Sequence, residues 1–305
     1  MFQIQQPNHI IFGKYAASEY LYPNDCLIIT SKGAKSRGWI DYIKGNNFKI
    51  FDNVEPNPSM NTVENIISQF KNEKFSTVIG LGGGSSLDVA KFVGFKLKKR
   101  KIMIPTTFGS GSEVTKISVL TINGKKKSFH DKQIFADVAI IDSFFLNNCP
   151  FKILRNSALD ACAQCSEGYD SKSGNYYTKF LCKKAFDILE DAIINEKYEN
   201  LALGSLITGL GFGNCSTTLG HALAFTTTAS HFFNNSIFYS RFKKLVKKLN
   251  FEPIFLKQDF DMASEIILKD RKHLDNNPIP VEKNNIIELL MKINHGKVFE
   301  NEKNI

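Results

Sequence analysis

The chain has 305 residues, 43% of them hydrophobic, and a formal charge of +9. That length holds two domains or one large one with a real core, and it contains no run of about eighteen apolar residues able to cross a membrane. Residues 1–7 show no basic-then-apolar export pattern, so the six cysteines are read as reduced thiols of a cytoplasmic protein and not as a disulfide scaffold.

Residues 25–30 read as a buried strand and 48–51 as a second, followed by a loop at 55–58. Residues 62–72 carry Val63, Ile66, Ile67 and Phe70 at helical spacing. A strand at 76–81 runs through a glycine-rich turn into a helix at 88–97. Residues 101–105 form a short strand and 138–141 a further one. Strands alternating with helices predict a parallel α/β sheet. The lysine runs at 98–101 and 125–127 read as solvated loops or helix ends, and with no nucleic-acid motif beside them no nucleic-acid partner is expected. Beyond Pro150 strand signals fade. Helical spacing recurs at 157–165, 177–193, 199–214, 219–230, 238–249 and 285–293, which predicts a dinucleotide-binding α/β domain over 1–150 and a helical substrate and metal domain over 151–305.

The most informative stretch is 80–91, Gly-Leu-Gly-Gly-Gly-Ser-Ser-Leu-Asp-Val-Ala-Lys. Glycines at a strand-to-helix turn let backbone N–H groups approach an anion, and the helix dipole favours negative charge there; a pyrophosphate is the natural guest. A tight turn alone also needs glycine. A second loop, 105–115, Pro-Thr-Thr-Phe-Gly-Ser-Gly-Ser-Glu-Val-Thr, sets hydroxyls after another strand, and two such loops can line one ligand crevice. Cys162 and Cys165 form a Cys-x-x-Cys within one predicted helix, read as small buried thiols.

The two loops together resemble the iron-containing, or group III, alcohol dehydrogenases. Weaker similarities lie at Phe12-Gly13, 56–58, 136–142, 159–161, 220–222 and 275–278. The resemblance implies a Rossmann-like N-terminal domain, a helical C-terminal domain as in dehydroquinate synthase, an active site between them, and a homo-oligomer, a dimer. It implies NAD or NADP, with Gly82, Gly83, Gly84 and Ser85 cradling the pyrophosphate, Asp88 tying the loop to its helix or to the cofactor, and Thr106, Thr107 and Ser112 lining the channel. Ser31 stands where NAD-preferring relatives often carry an acid; with cations at Lys32, Lys35 and Arg37 it inclines the choice to NADP.

The family's divalent metal (Fe or Zn) is held by one Asp and three His. Asp160 and His221 match, whereas Gln164 and Asn235 stand where His is expected, and Phe225 replaces another familiar His. Amide oxygens replace imidazole poorly toward Fe²⁺ or Zn²⁺, so a weakly held or absent metal is expected. His231 is a candidate ligand or general acid, which makes Asp160, His221 and His231 the candidate catalytic residues. The chain is also shorter than typical members. The expected activity is an NAD(P)-dependent reduction of a small aldehyde or ketone, with an anionic compound such as phosphonoacetaldehyde one candidate. A dehydroquinate synthase-like lyase and a nucleotide-binding paralogue with impaired catalysis are the alternatives.

Overall fold

Short strands buried on both faces are what a parallel sheet covered by helices requires. The computed structural model describes residues 1–147, 149–227, 236–250 and 259–294, and in it such strands build one six-stranded sheet. Its members are β1 (His9–Phe12), β2 (Cys26–Ile29), β3 (Lys49–Phe51), β4 (Thr77–Gly82), β5 (Arg100–Pro105) and β8 (Val138–Ile141), in the order β1-β8-β5-β4-β2-β3 with every pair parallel. All residues of β2, β4 and β8 are buried. Between β5 and β8 the chain makes an antiparallel hairpin, β6 (Ile117–Ile122) and β7 (Lys125–His130).

Helices α1 (Ala16–Glu19), α2 (Lys32–Ser36), α3 (Trp39–Tyr42), α4 (Met60–Phe70) and α5 (Gly84–Lys96) accompany the sheet. The amphipathic spacing of α4 works as read: Ser59 accepts from Thr62 N at 3.2 Å to cap it, and Val63, Ile66 and Phe70 turn inward. From β2 the chain steps to β3 on one side; β4 then returns across β2 and β5 continues the other way. The crevice at the carboxyl end of β4 is therefore a topological switch point, where ligands bind in open parallel sheets. Asp142, fully buried at the end of β8, accepts from Tyr15 N, Ala17 N and Phe144 N and from the Tyr42 hydroxyl, all within 3.0 Å, and so joins β1 to β8 from beyond their ends.

The remainder is helical among the described residues: α6 (Phe151–Asp170), α7 (Tyr176–Ile194), α8 (Leu201–Phe212), α9 (Leu219–Thr227), α10 (Tyr239–Lys248), α11 (Phe260–Leu268), α12 (Arg271–Asp275) and α13 (Lys283–Asn294). Asn175 and Thr178 form a reciprocal capping box that starts α7. The chain thus joins an α/β N-terminal part to a helical C-terminal part.

Several features depart from the sequence expectation. Strand β1 is only four residues long and half-exposed, too short to show a period. The lysine run at 125–127 is not a solvated loop or helix end but the start of β7, turned back from β6 by Asn123 and Gly124, both at positive φ (50° and 75°). Helices α11 and α12 lie where no element was predicted.

Candidate active site

Strand β4 passes into α5 through Gly82, whose φ of +150° excludes a side chain, and Gly83, which caps the helix without any side-chain hydrogen bond. A Cβ on Gly83 would sit 3.1 Å from Thr107 Oγ1, and one on Gly84 would sit 3.0 Å from Ser110 Oγ. Thr106 N donates to Gly82 O at 2.9 Å. The loop after β5 therefore lies against the glycine turn across a gap that only glycine leaves open, beside the unsatisfied N–H groups of the α5 N-terminus. Ser85 follows in the first turn, half-buried. This cradle fits a pyrophosphate.

One turn on, Asp88 accepts from Ser112 Oγ at 2.5 Å and from Val119 N at 3.0 Å, and its Oδ1 lies 3.5 Å from Lys91 Nζ. Lys91 is fully buried and donates to the carbonyls of Ser112 (2.7 Å), Thr115 (3.3 Å) and Ile117. Burial pushes its ammonium down and the Asp88 carboxyl up, and each is opposed by the other's charge. The pair staples α5 to the 105–115 loop and to β6. Lys91 closes the glycine motif, yet its structural part was not anticipated. Glu113 of the same loop is also buried; burial raises its carboxyl to about 7, and its Oε1 has no hydrogen-bond partner.

The helical side is built on α6. Gln164 Nε2 donates to Asp160 Oδ2 at 2.9 Å, one turn apart on the same face. Glu167, two turns beyond Asp160 and 1% exposed, accepts from Thr218 N at 2.6 Å and sets its Oε1 2.8 Å from His221 Nδ1. The ring accordingly donates Nδ1–H to this carboxylate and turns Nε2 toward Asp160 Oδ1, 3.9 Å away. Glu167 was missed in the sequence, although its i+7 spacing from Asp160 was there to be read. Among the described residues no three His, Cys, Asp or Glu side chains gather to hold a metal ion. Gln164 Oε1, however, is buried without a hydrogen-bond partner beside Asp160 and His221. Two oxygens and one imidazole nitrogen fit a divalent cation, as a harder donor set than one rich in imidazole. His231 and Asn235 lie outside the described residues. Cys162 and Cys165 are buried; burial raises both thiols, Cys165 to about 12, and Cys165 Sγ lies 3.1 Å from Thr208 Oγ1.

Asp88, Ser112, Asp160, Gln164 and His221 all open onto one cavity of about 280 Å³. Its other walls were not foreseen. Lys126, Ser128 and His130 alternate along β7 and present one face of the strand to it, while Lys272 and His273 enter from α12. His273 is fixed by Asp270 Oδ2 at 2.7 Å, and Lys272 Nζ lies 3.1 Å from His130 Nδ1. Ser31 is elsewhere, capping α2 by accepting from Ala34 N at 3.3 Å. Near it Lys35 binds Asp52 at 2.5 Å, and Arg37 turns back to the Gly33 carbonyl. The cavity therefore gathers the metal-type residues with Asp88 and Ser112; Gly82, Gly83, Gly84, Thr106 and Thr107 meet at the adjoining turn.

Residues 7–143 match the family model described as iron-containing alcohol dehydrogenase. The chain is 29% identical over 196 residues to the 4-hydroxybutyrate dehydrogenase of Clostridium kluyveri, covering 55% of this chain and 53% of that one. It spans about half the length of the curated relatives it matches. An iron-containing alcohol dehydrogenase structure from Thermotoga maritima superposes with a TM-score of 0.84 at 22% identity, over 97% of this chain and 100% of the other. A sulfoacetaldehyde reductase from Bifidobacterium kashiwanohense, solved in complex with NAD⁺, does so with a TM-score of 0.83 at 22% identity, over 96% and 99%. These likenesses under 25% identity establish the fold.

Proposed function

We propose, from the match of residues 7–143 to the iron-containing alcohol dehydrogenase family, that the chain is an NAD(P)-dependent oxidoreductase interconverting a small aldehyde or ketone and its alcohol. One observation carries the reading. The loop that packs on the glycine turn also walls the cavity that holds Asp160, Gln164 and His221. The cavity's volume lies just below the roughly 300–1,000 Å³ of sites that take drug-sized ligands, which suits a small substrate.

In this reading residues 1–150 hold the dinucleotide and 151–305 the substrate. When bound, the dinucleotide would supply hydride for the carbonyl carbon and be oxidised to NAD(P)⁺, with the carbonyl oxygen taking a proton from the site. Gly82, Gly83, Gly84 and Ser85 hold the pyrophosphate at the α5 N-terminus, and Thr106, Thr107 and Ser112 orient the nicotinamide side. Asp160, Gln164 and His221 would hold a divalent cation, which when bound supplies Lewis acidity toward the carbonyl oxygen. Glu167 keeps His221 Nε2 aimed into the cavity, and His231 is the proposed proton donor. NADP is the proposed cofactor: no carboxylate directly follows β2, and the charge of Asp52 after β3 is offset by Lys35. The proposal includes a homodimer in the cytoplasm; neither bears on the site's chemistry.

The test is oxidation of NADPH and of NADH over a panel of small aldehydes, with and without chelator and added Fe²⁺ or Zn²⁺. Aldehyde-dependent oxidation is expected, with NADPH preferred; activity unchanged by chelator would remove metal from the mechanism. Product formed without net NADPH consumption would mean a lyase instead. Tight dinucleotide binding with no turnover would mean a nucleotide-binding paralogue.

A further inference from the structure

The charges around the cavity do not balance. Asp88 lines it, but Lys91, the Ser112 hydroxyl and the Val119 N–H neutralise that carboxylate within the wall. Two ammonium groups, Lys126 of β7 and Lys272 of α12, then face one carboxylate, Asp160. They come from different elements, one from the α/β part and one from the helical part. Lys126 alternates with the outward Lys125 and Lys127, so the strand's period, not a crowded surface, turns it inward. Asp160 attracts Lys126; Lys272 meets His130 at the cavity and is attracted by Asp270 on its other side. A neutral aldehyde would make no use of the two ammonium groups on this lining, whereas an anionic one would pair with them. A divalent cation at Asp160 would widen the excess.

Resting on the oxidoreductase reading above, we propose that the substrate carries an anionic group (carboxylate, sulfonate or phosphonate) besides its carbonyl, and that Lys126 and Lys272 bind that anion while the carbonyl faces Asp160, Gln164 and His221. The hydroxyls of Ser128, Ser216 and Thr217 on the same lining supply neutral donors to the oxyanion.

Four-carbon aldehydes matched for length make the test: 4-oxobutanoate against butanal, each with the preferred dinucleotide, in the full chain and in Lys126→Gln and Lys272→Gln. The readout is the ratio of kcat/KM for the two aldehydes. A ratio of about ten or more that falls by about tenfold in each variant, and that falls with added salt, is expected for charge-assisted contacts. Butanal used as well as or better than 4-oxobutanoate by the unaltered chain overturns the proposal and leaves the oxidoreductase reading standing. A ratio that survives both substitutions overturns the assignment to these lysines. Lys272 is exposed, so Lys272→Gln tests the idea even where Lys126→Gln folds poorly. If no aldehyde is turned over, the oxidoreductase reading fails, and calorimetry with unreactive succinate decides the anion site on its own: saturable binding lost in the variants sustains it, and no binding overturns it. Sulfoacetaldehyde and phosphonoacetaldehyde in the same assay separate the three anions.

Discussion

Glu113→Gln tests the buried network beneath the candidate site through its pH dependence. Glu113 is 1% exposed, and burial raises its carboxyl from 4.5 to about 7. The folded chain therefore keeps this proton over a range in which the unfolded chain has released it. Stability is at its full value below about pH 4.5 and falls as pH rises toward 7, because the unfolded state binds fewer protons there. A shift of about 2.5 units at about 1.4 kcal/mol per unit makes the loss about 3 kcal/mol once both states are ionised. That figure is already net of Lys91, whose ammonium attracts the ionised form. Glutamine keeps the shape and cannot ionise, and because Glu113 Oε1 is already without a partner the amide oxygen loses nothing there. Urea unfolding of both chains at pH 5 and pH 8 isolates the effect. The variant is expected to match or fall below the parent at pH 5 and to exceed it by roughly 2–3 kcal/mol at pH 8, a Tm difference of about 5 °C. A stability difference that is the same at both pH values would refute the reasoning, because it would place the Glu113 carboxyl in its ordinary range despite its burial.

Three further outcomes follow from other parts of the molecule. Gly83→Val drives a branched side chain into Thr107 at the mouth of the cradle and should weaken NAD(P)H binding, read by cofactor fluorescence, at least tenfold; unchanged affinity would remove this turn from the cofactor site. Glu167→Gln takes away the carboxylate that orients His221 and should lower kcat/KM about 10- to 100-fold while dinucleotide binding holds, as loss of an outer partner of a site histidine does. Asp142→Ala strands the N–H groups of Tyr15, Ala17 and Phe144 and should cost about 3 kcal/mol in chemical denaturation, far from the cavity.

Much of the sheet was legible because its strands are continuous apolar runs bounded by turns, as at 25–30 and 76–81, and because the glycine turn has one geometric solution. The hairpin was not, since β7 is Lys-Lys-Lys-Ser-Phe-His: its inward positions are polar, so no hydrophobic alternation announces a strand. The Asn-Gly turn at 123–124 was the available signal. The same physics explains why half of the site escaped. A motif displays residues that are near in sequence, whereas the cavity is closed by side chains from β7, α6, α9 and α12, which only the fold brings together.

That division has a consequence for the chemistry. With Gln164 where the family resemblance expects a histidine, the α6 wall offers a cation one fewer imidazole nitrogen, and in the proposed reading more of the positive charge facing the substrate comes from the walls. Lys126 and Lys272 stand on those walls. In the proposed reading Lys126 and Lys272 set the preference for an anionic substrate, and the α6 donors set the affinity for metal. Gln164→His should then raise the affinity for Zn²⁺ in calorimetry without altering the preference for an anionic aldehyde. A preference that vanished with the substitution would mean that metal occupancy, and not the lysines, sets the field in the cavity.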